Sequence, residues 1–232
     1  MAHSPAASDT TPATQVAGVV WDLGNVLIAW EPVRAVAAGV GDAEARRFIA
    51  GFDFGAWNHS CDAGRPWSAA LAELAATAPE WTAHGQAYYD HFGASLTGEV
   101  PGTVDVVREL AAAGVPQCGL TNWSHELYHA HAPARFPFLG LLDHVVVSGT
   151  EGIAKPDPRI YRRAAERSGL DLSALVFVDD RADNVAAART LGMTGVVFTD
   201  APSLRAELVA LGLLAEAQAS SASMSTGTST AP

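Results

Sequence analysis

Residues 17–22, AGVVWD, introduce a pattern that the chain repeats: a short apolar run followed at once by polar side chains. The pattern recurs in PQCGLT at 116–121, HVVVS at 144–148, LVFVDD at 175–180 and GVVF at 195–198. Short, continuous apolar runs rich in valine are typical of strands that are buried on both faces of a parallel sheet. These five segments therefore predict the strands of one parallel sheet.

Amphipathic segments lie between the apolar runs and predict helices around 102–114, 124–132, 158–169, 181–192 and 202–212. In the first of them Val104, Val107 and Leu110 recur at helical spacing. Pro133 is expected to end the second helix, because proline cannot donate a helical hydrogen bond. The alternation of strands and helices predicts an α/β fold, a Rossmann-like parallel sheet with helices on both faces.

Residues 31 to about 98 break this alternation, because they contain several helical patterns and no convincing strand. The segment follows the first strand closely, so it would lie at the carboxyl end of the sheet, where ligands of open α/β folds bind. We expect residues 30–98 to form a small helical cap on a core made of 16–29 and 99–215. The alternative is a helical subdomain that only stabilises the fold.

Composition limits the classes of function. The chain has 232 residues, of which 49% are hydrophobic and 17% charged, as in ordinary globular proteins. Its net charge of -11 argues against nucleic acid and anionic membranes as partners. No apolar run approaches a membrane span, no secretory signal is evident, and two cysteines are too few for a disulfide framework, so a cytoplasmic protein is expected. Residues 1–15 and 216–232 are expected to be disordered.

Polar side chains follow the predicted strands or lie in the loops just after them. These residues are Asp22, Thr121, Asn122, Lys155, Asp179 and Asp180. A single aspartate after a strand is often only the N-cap of the next helix. However, the carboxyl ends of parallel strands gather at one crevice, so we expect these six side chains to converge.

The three carboxylates among them predict a metal site. Asp22, Asp179 and Asp180 would repel one another at close range unless a positive charge compensates. Mg²⁺ prefers oxygen ligands and leaves room for water and a substrate phosphate. Lys155, the single lysine beside thirteen arginines, would supply a further positive charge.

Four motifs, in this chain order, resemble those of the haloacid dehalogenase-like hydrolase superfamily. They are D-x-G-N-V at 22–26, T-N at 121–122, K-P-D-P-x-I-Y at 155–161 and V-D-D-x-x-x-N at 178–184. The resemblance extends from residue 17 to about 212. The insert is similar to the helical cap of sugar-phosphate phosphatases and of the amino-terminal phosphatase domain of soluble epoxide hydrolase. This resemblance implies a magnesium-dependent phosphatase that acts on a small-molecule phosphate monoester.

The resemblance also implies roles at the metal site. Asp22 would be the nucleophile and would form an aspartyl-phosphate, which divides one difficult displacement into two easier ones. Mg²⁺ would be held by the Asp22 carboxylate, the Gly24 backbone carbonyl and Asp180. Asp179 would contact the metal through a water molecule, or would contact the metal ligands without touching the metal.

Further roles concern the phosphate. Thr121 and the backbone amide of Asn122 would hold the phosphoryl oxygens. Lys155 would offset negative charge on the nucleophile and the phosphate in the transition state. Asn184 is a candidate for orienting the acidic pair.

The sequence departs from the family at Gly24, where many phosphatases of this superfamily carry an aspartate that serves as general acid and base. Glycine in place of aspartate keeps the metal ligand, because this ligand is the main-chain carbonyl. The side chain that would donate the proton is lost. Either Asp62 or a histidine such as His59 replaces it, or the leaving group needs little protonation.

Other functions share parts of this set of residues. A 2-haloacid dehalogenase would also use Asp22, but the metal-independent dehalogenases carry small neutral residues where Asp179 and Asp180 stand. A carbon–phosphorus hydrolase would need a lysine in the cap, and the chain has none there. Receiver domains place the acidic pair before the phosphorylated aspartate, the reverse of the order here. A non-catalytic phosphate-binding protein is the fourth alternative.

Two patterns have competing explanations. HELYH at 125–129 fits the zinc-peptidase motif, but surface histidines on a helix are the favoured interpretation. Aromatic side chains in the insert are candidates for lining a substrate pocket, although core packing is the commoner role of such residues. These are Trp30, Phe52, Phe54, Trp57 and Trp67.

Overall fold

The computed structural model describes residues 15–216. The expected disorder of residues 1–15 and 216–232 therefore lies outside the described residues, apart from Gln15 and Glu216. In chain order the strands are β1 (Gly18–Trp21), β2 (Ile28–Trp30), β3 (Leu96–Glu99), β4 (Gln117–Thr121), β5 (His144–Val147), β6 (Leu175–Asp179) and β7 (Thr194–Val197).

Five of these strands form one parallel sheet in the order β5-β4-β1-β6-β7. Each of the five lies within one residue or two of a predicted strand. The strand that ends just before Asp22 is central, with β4 and β6 as its neighbours. The carboxyl ends of these three strands therefore meet at one edge of the sheet.

Helices connect and cover the strands. They are α1 (Pro32–Val40), α2 (Asp42–Gly51), α3 (Phe54–Asp62), α4 (Trp67–Thr77), α5 (Thr82–Asp90), α6 (Thr103–Ala112), α7 (His125–Arg135), α8 (Ser148–Glu151), α9 (Pro158–Ser168), α10 (Ala182–Thr190) and α11 (Ala201–Ala210). Helices α6 and α11 share a core with Val19 and Trp21, whereas α9 and α10 share another core with Val20. Because alternate residues of a strand face opposite sides, both faces of the sheet are covered, which confirms the predicted fold class.

The helical insert lies between two strands that the sequence analysis missed. Strands β2 and β3 pair in antiparallel fashion, with Ile28 opposite Glu99. The expectation of no strand between 31 and 98 is therefore wrong at β3. Its sequence LTGE has one buried side chain, Leu96, and no apolar alternation, so only pairing with β2 makes it a strand. The chain leaves the core along β2, forms α1–α5 and returns along β3. We call residues 31–95 the insert.

Helix α7 also differs from its prediction, because Pro133 lies within it and does not end it. Proline removes one hydrogen bond at its own nitrogen. The backbone N–H of Phe136 still donates to the carbonyl of Ala132 at 3.0 Å, which closes the last turn.

Buried hydrogen bonds hold the insert against the loop that follows β4. The Ser148 hydroxyl donates to the carbonyl of Asp62 at 2.6 Å and accepts from the backbone N–H of Trp123 at 2.9 Å. The indole of Trp67 donates to the Ser124 hydroxyl at 2.8 Å. The end of α3 is thereby fixed beside the carboxyl end of β4. None of the helices in residues 15–216 has the length and apolar character to cross a membrane.

Candidate active site

A buried lysine lies at the centre of the predicted crevice. Lys155 is 2% exposed, and its ammonium contacts Asp22 Oδ1 at 2.9 Å and donates to Asp179 Oδ2 at 2.7 Å. A third bond goes to the carbonyl of Leu120 at 2.9 Å. Burial opposes the charge, but the two carboxylates prevail and raise the pKa of Lys155 above its usual value. This side chain is therefore an ammonium at neutral pH.

Asp22 comes directly after the central strand β1. Its backbone N–H donates to the carbonyl of Val178 at 2.8 Å, and its Oδ1 accepts from the backbone N–H of Leu23 at 2.7 Å. Burial raises the pKa of the Asp22 carboxyl to about 7, and the charges of Asp179 and Asp180 add to the rise, while Lys155 counteracts it. A cation at this carboxylate would favour its ionised form.

The two acids at the end of β6 have different surroundings. Asp179 is fully buried and accepts from Lys155, from the backbone N–H of Arg181 at 2.8 Å and from the Asn184 amide at 3.1 Å. Asp180 is exposed, and burial together with Asp179 raises its pKa. The Asp179 carboxylate is thus surrounded by hydrogen-bond donors of the protein, whereas the Asp180 carboxylate is accessible to a cation.

The loop after β4 is tied to the loop that carries Lys155. The Asn122 side chain donates to the carbonyl of Lys155 at 2.9 Å and accepts from its backbone N–H at 2.8 Å. Thr121, the last residue of β4, is 2% exposed and lines a cavity that Asp22 and Lys155 also line. The Asn122 side chain therefore positions Lys155, a task that its place in the T-N motif did not reveal.

The donor set fits a magnesium ion. One carboxylate oxygen each from Asp22, Asp179 and Asp180 lies within 4.8 Å of the others. All of these donors are hard oxygen atoms, which Mg²⁺ prefers. One buried ammonium faces three carboxyls, so a dication would complete the charge balance.

The HELYH segment has other partners. The rings of His125 and His129 lie 4.5 Å apart on an exposed face of α7. Glu126 accepts from the backbone N–H of Trp67 at 3.1 Å and from the Tyr89 hydroxyl at 3.2 Å, so it links α7 to the insert. Within residues 15–216, the three-residue group able to hold a metal ion does not include either histidine.

A cavity of about 640 Å³ extends from Asp22 and Lys155 towards the insert. Of the predicted aromatic candidates, Trp30 and Phe54 line it. Phe52, which is half-buried, and Trp67 pack against Trp57 within the insert instead, at ring distances of 6.0 and 5.1 Å. Aromatic residues that the sequence analysis did not name also line the cavity: Tyr88, Phe92 and Trp123. Their helical or loop positions carry no local signal that would have singled them out.

Both candidate proton donors line this cavity as well. Asp62 is buried, and its carboxylate accepts from the Asn58 amide at 2.8 Å. Burial raises the pKa of Asp62 well above its usual value, so the protonated acid is favoured. His59 is exposed at the cavity wall.

The fold and this cluster of acids and lysine define a class of hydrolases with an α/β core and an aspartate after the central strand. Residues 16–192 match the model of the haloacid dehalogenase-like hydrolases, and the chain belongs to this family.

Individual relatives have different activities. A sesquiterpene phosphatase of Aspergillus oryzae is 31% identical over 103 residues, covering 44% of this chain and 52% of the relative. An (S)-2-haloacid dehalogenase of Pseudomonas sp. (strain YL) is 35% identical over 112 residues, covering 44% of this chain and 45% of the relative. The chain spans 16% to 52% of the length of the first curated relatives it matches.

A solved structure shares the fold. A haloacid dehalogenase family enzyme of Bacteroides thetaiotaomicron, in complex with magnesium and inorganic phosphate, superposes with a TM-score of 0.63 and 17% identity. The match covers 80% of this chain and 95% of that one.

Proposed function

We propose that this protein is a magnesium-dependent phosphatase that hydrolyses a small-molecule phosphate monoester through an aspartyl-phosphate at Asp22. The observation that carries the proposal is the buried Lys155 ammonium held between Asp22 and Asp179, with Asp180 accessible beside them. Phosphoryl transfer depends chiefly on positioning and on electrostatic stabilisation, and this cluster supplies both.

The reaction has two steps. In the first, an Asp22 oxygen attacks phosphorus, the bond from phosphorus to the ester oxygen breaks, and the alcohol leaves with a proton. In the second, water attacks the phosphorus of the aspartyl-phosphate and releases inorganic phosphate, which regenerates the carboxylate. Lys155 offsets the negative charge that collects around Asp22 during both steps.

Three further groups of the core take part. Asp22, Asp180 and the Gly24 carbonyl would hold the magnesium ion, which when bound neutralises charge on the transferring phosphoryl group. Thr121 and the Asn122 backbone N–H bind the phosphoryl oxygens. Asp179 keeps Lys155 in place and is itself held by the Asn184 amide.

We assign the leaving-group proton to Asp62. Its burial favours the protonated acid that such a donor needs, and its backbone carbonyl is bonded to Ser148, which also accepts from Trp123. These bonds hold Asp62 next to the phosphate-binding loop at 121–122. His59 is exposed and has no comparable anchor among the described residues. The insert would thereby act as a cap that completes the site.

The dehalogenase alternative has a 35%-identical relative in its favour. The same Asp22 would then attack carbon and expel a halide, without any need for a metal. The acidic pair Asp179 and Asp180 favours the phosphatase, because a carbon-centred displacement has no phosphoryl charge for a cation to offset.

The test measures phosphate release from a panel of monoesters and chloride release from 2-chloropropionate, each with EDTA and with added magnesium. We expect phosphate release that EDTA abolishes and magnesium restores, and an acid-quenched protein whose mass is greater by one phosphoryl group. Chloride release in EDTA would establish the dehalogenase instead. Phosphate binding without turnover of any ester would indicate the non-catalytic alternative.

A further inference from the structure

We propose that the alcohol part of the substrate is an uncharged apolar group, alkyl or aryl, that lies against a row of aromatic rings in the cavity. The inference rests on the proposed function and adds the class of substrate. We call Trp30, Phe54, Tyr88, Phe92 and Trp123 the aromatic wall, since all five line the cavity that contains Asp22.

The aromatic wall is continuous. The ring centroids of Trp30 and Phe54 lie 6.4 Å apart, those of Phe54 and Tyr88 4.9 Å, those of Tyr88 and Phe92 5.6 Å, and those of Phe92 and Trp123 5.7 Å. Trp123 directly follows Asn122, so one end of the wall lies at the proposed phosphate-binding loop. A group esterified to the phosphate would extend from this loop along the rings.

The charges in the cavity match such a substrate. Among the described residues that line it, the basic side chains apart from His59 are Lys155 and Arg181. Lys155 is already held by two carboxylates, and Arg181 pairs with Asp183 at 2.7 Å. A second phosphate or a carboxylate on the substrate would therefore have to compete with the carboxylates that Lys155 and Arg181 already contact. Sugar hydroxyls that lie against the rings themselves would lose hydrogen bonds to water there, although Asn58, His59 and Asp62 also line the cavity and offer polar atoms elsewhere.

The size of the cavity agrees with this class. A volume of about 640 Å³ is within the range of pockets that enclose a drug-sized molecule. A three-carbon sugar phosphate would leave much of this space unfilled. Apolar area that the substrate buries against the rings instead contributes directly to kcat/KM.

Straight-chain alkyl phosphates isolate this contribution. Methyl, butyl, hexyl and octyl phosphate share nearly the same leaving-group chemistry and differ in apolar area. We expect kcat/KM to rise by about fourfold for each added methylene until the cavity is filled. Glucose 1-phosphate and ribose 5-phosphate are expected to be poorer substrates than octyl phosphate. A flat series, or a preference for the sugar phosphates, would overturn the assignment.

A matched pair of variants tests the wall itself. Trp30 is half-buried and lines the cavity, whereas Trp81 is buried against Phe48 within the insert and does not line it. Trp30→Ala should lower the ratio of kcat/KM for octyl over methyl phosphate at least tenfold, and Trp81→Ala should leave this ratio unchanged. Equal changes in both would show that the wall is only structural. If Trp81→Ala does not fold, Trp81→Phe is the control.

Binding to the Asp22→Asn variant separates this inference from the proposed function. Calorimetry with the same alkyl phosphates should show affinity that rises with chain length, whether or not the parent protein turns them over. Length-dependent binding without turnover by the parent would support the ligand class and refute the phosphatase. Turnover by the parent protein without any dependence on chain length would support the phosphatase and refute the ligand class.

Discussion

The two walls of the cavity are built in different ways. The charged wall consists of Asp22 and Asp180, which directly follow parallel strands, and of Lys155 in the loop between α8 and α9. Its buried polar groups have named partners at 2.7–2.9 Å. The aromatic wall comes mostly from the insert and its flanks, and its rings meet at 4.9–6.4 Å with few polar contacts.

This difference separates two properties of the site. Buried charged groups depend on one geometry, because the loss of one partner leaves another unpaired. Apolar packing tolerates exchange of side chains of similar volume. We therefore expect substitutions in the charged wall to lower kcat for every substrate alike. Substitutions beside the aromatic wall should change kcat by an amount that depends on the substrate.

Asp22→Asn should have the largest effect. Loss of a nucleophile that works together with its neighbours lowers kcat by on the order of 10⁶-fold, and the loss should be equal for methyl, octyl and phenyl phosphate. The measurement is steady-state phosphate release, with circular dichroism as the check on folding, since the substitution is nearly isosteric. Residual turnover close to the parental rate would show that Asp22 is not the nucleophile.

Lys155→Ala should reduce kcat by on the order of 10³–10⁵-fold, comparable to the loss of a cation that stabilises a phosphoryl-transfer transition state. It should also lower the free energy of unfolding by about 3–5 kcal/mol, because Asp22 and Asp179 would lose their shared buried partner. Urea denaturation monitored by fluorescence measures this second effect. A variant as stable as the parent would contradict the contacts described for the charged wall.

Asp62→Asn should have a smaller effect that depends on the leaving group. Loss of a general acid lowers the rate by about 10²–10⁴-fold for alkyl phosphates, whose alcohols are weak acids, and much less for 4-nitrophenyl phosphate. His59→Gln is the matched control and should change neither rate strongly. An equal loss for both ester classes would make Asp62 a structural residue of the insert.

An aspartate at position 24, beside the charged wall, could replace the general acid that Asp62→Asn removes. A Cβ atom added at Gly24 would meet no atom within 4 Å outside its two chain neighbours, so the backbone there has room for the start of an aspartate side chain. In the Asp62→Asn background, Gly24→Asp should recover part of the lost activity towards alkyl phosphates, measured as the slope of log kcat against leaving-group pKa. The slope should become shallower in the double variant than in Asp62→Asn alone.

The parallel sheet could be predicted from the sequence because each strand is a short apolar run of its own. The five strands and the convergence of Asp22, Thr121, Lys155 and Asp180 follow from this local pattern and from the geometry of parallel strands. Strand β3 could not be predicted, since its LTGE sequence depends on a partner strand that is distant in the chain, with the paired residues Ile28 and Glu99 lying 71 positions apart. Pairing over such a distance leaves no periodic trace in either segment.

The finer division of roles was decided by the tertiary structure. Asp179 and Asp180 are adjacent in the sequence and chemically identical. In the folded chain, however, Asp179 accepts hydrogen bonds from Lys155 and Asn184, whereas Asp180 is exposed. Likewise Phe54 and Trp57 lie on the same helix, but Phe54 lines the cavity and Trp57 packs inside the insert. A sequence determines which residue types stand at the ends of strands and on helices. Which of them share a cavity depends on contacts between distant segments, and those contacts form only when the chain is folded.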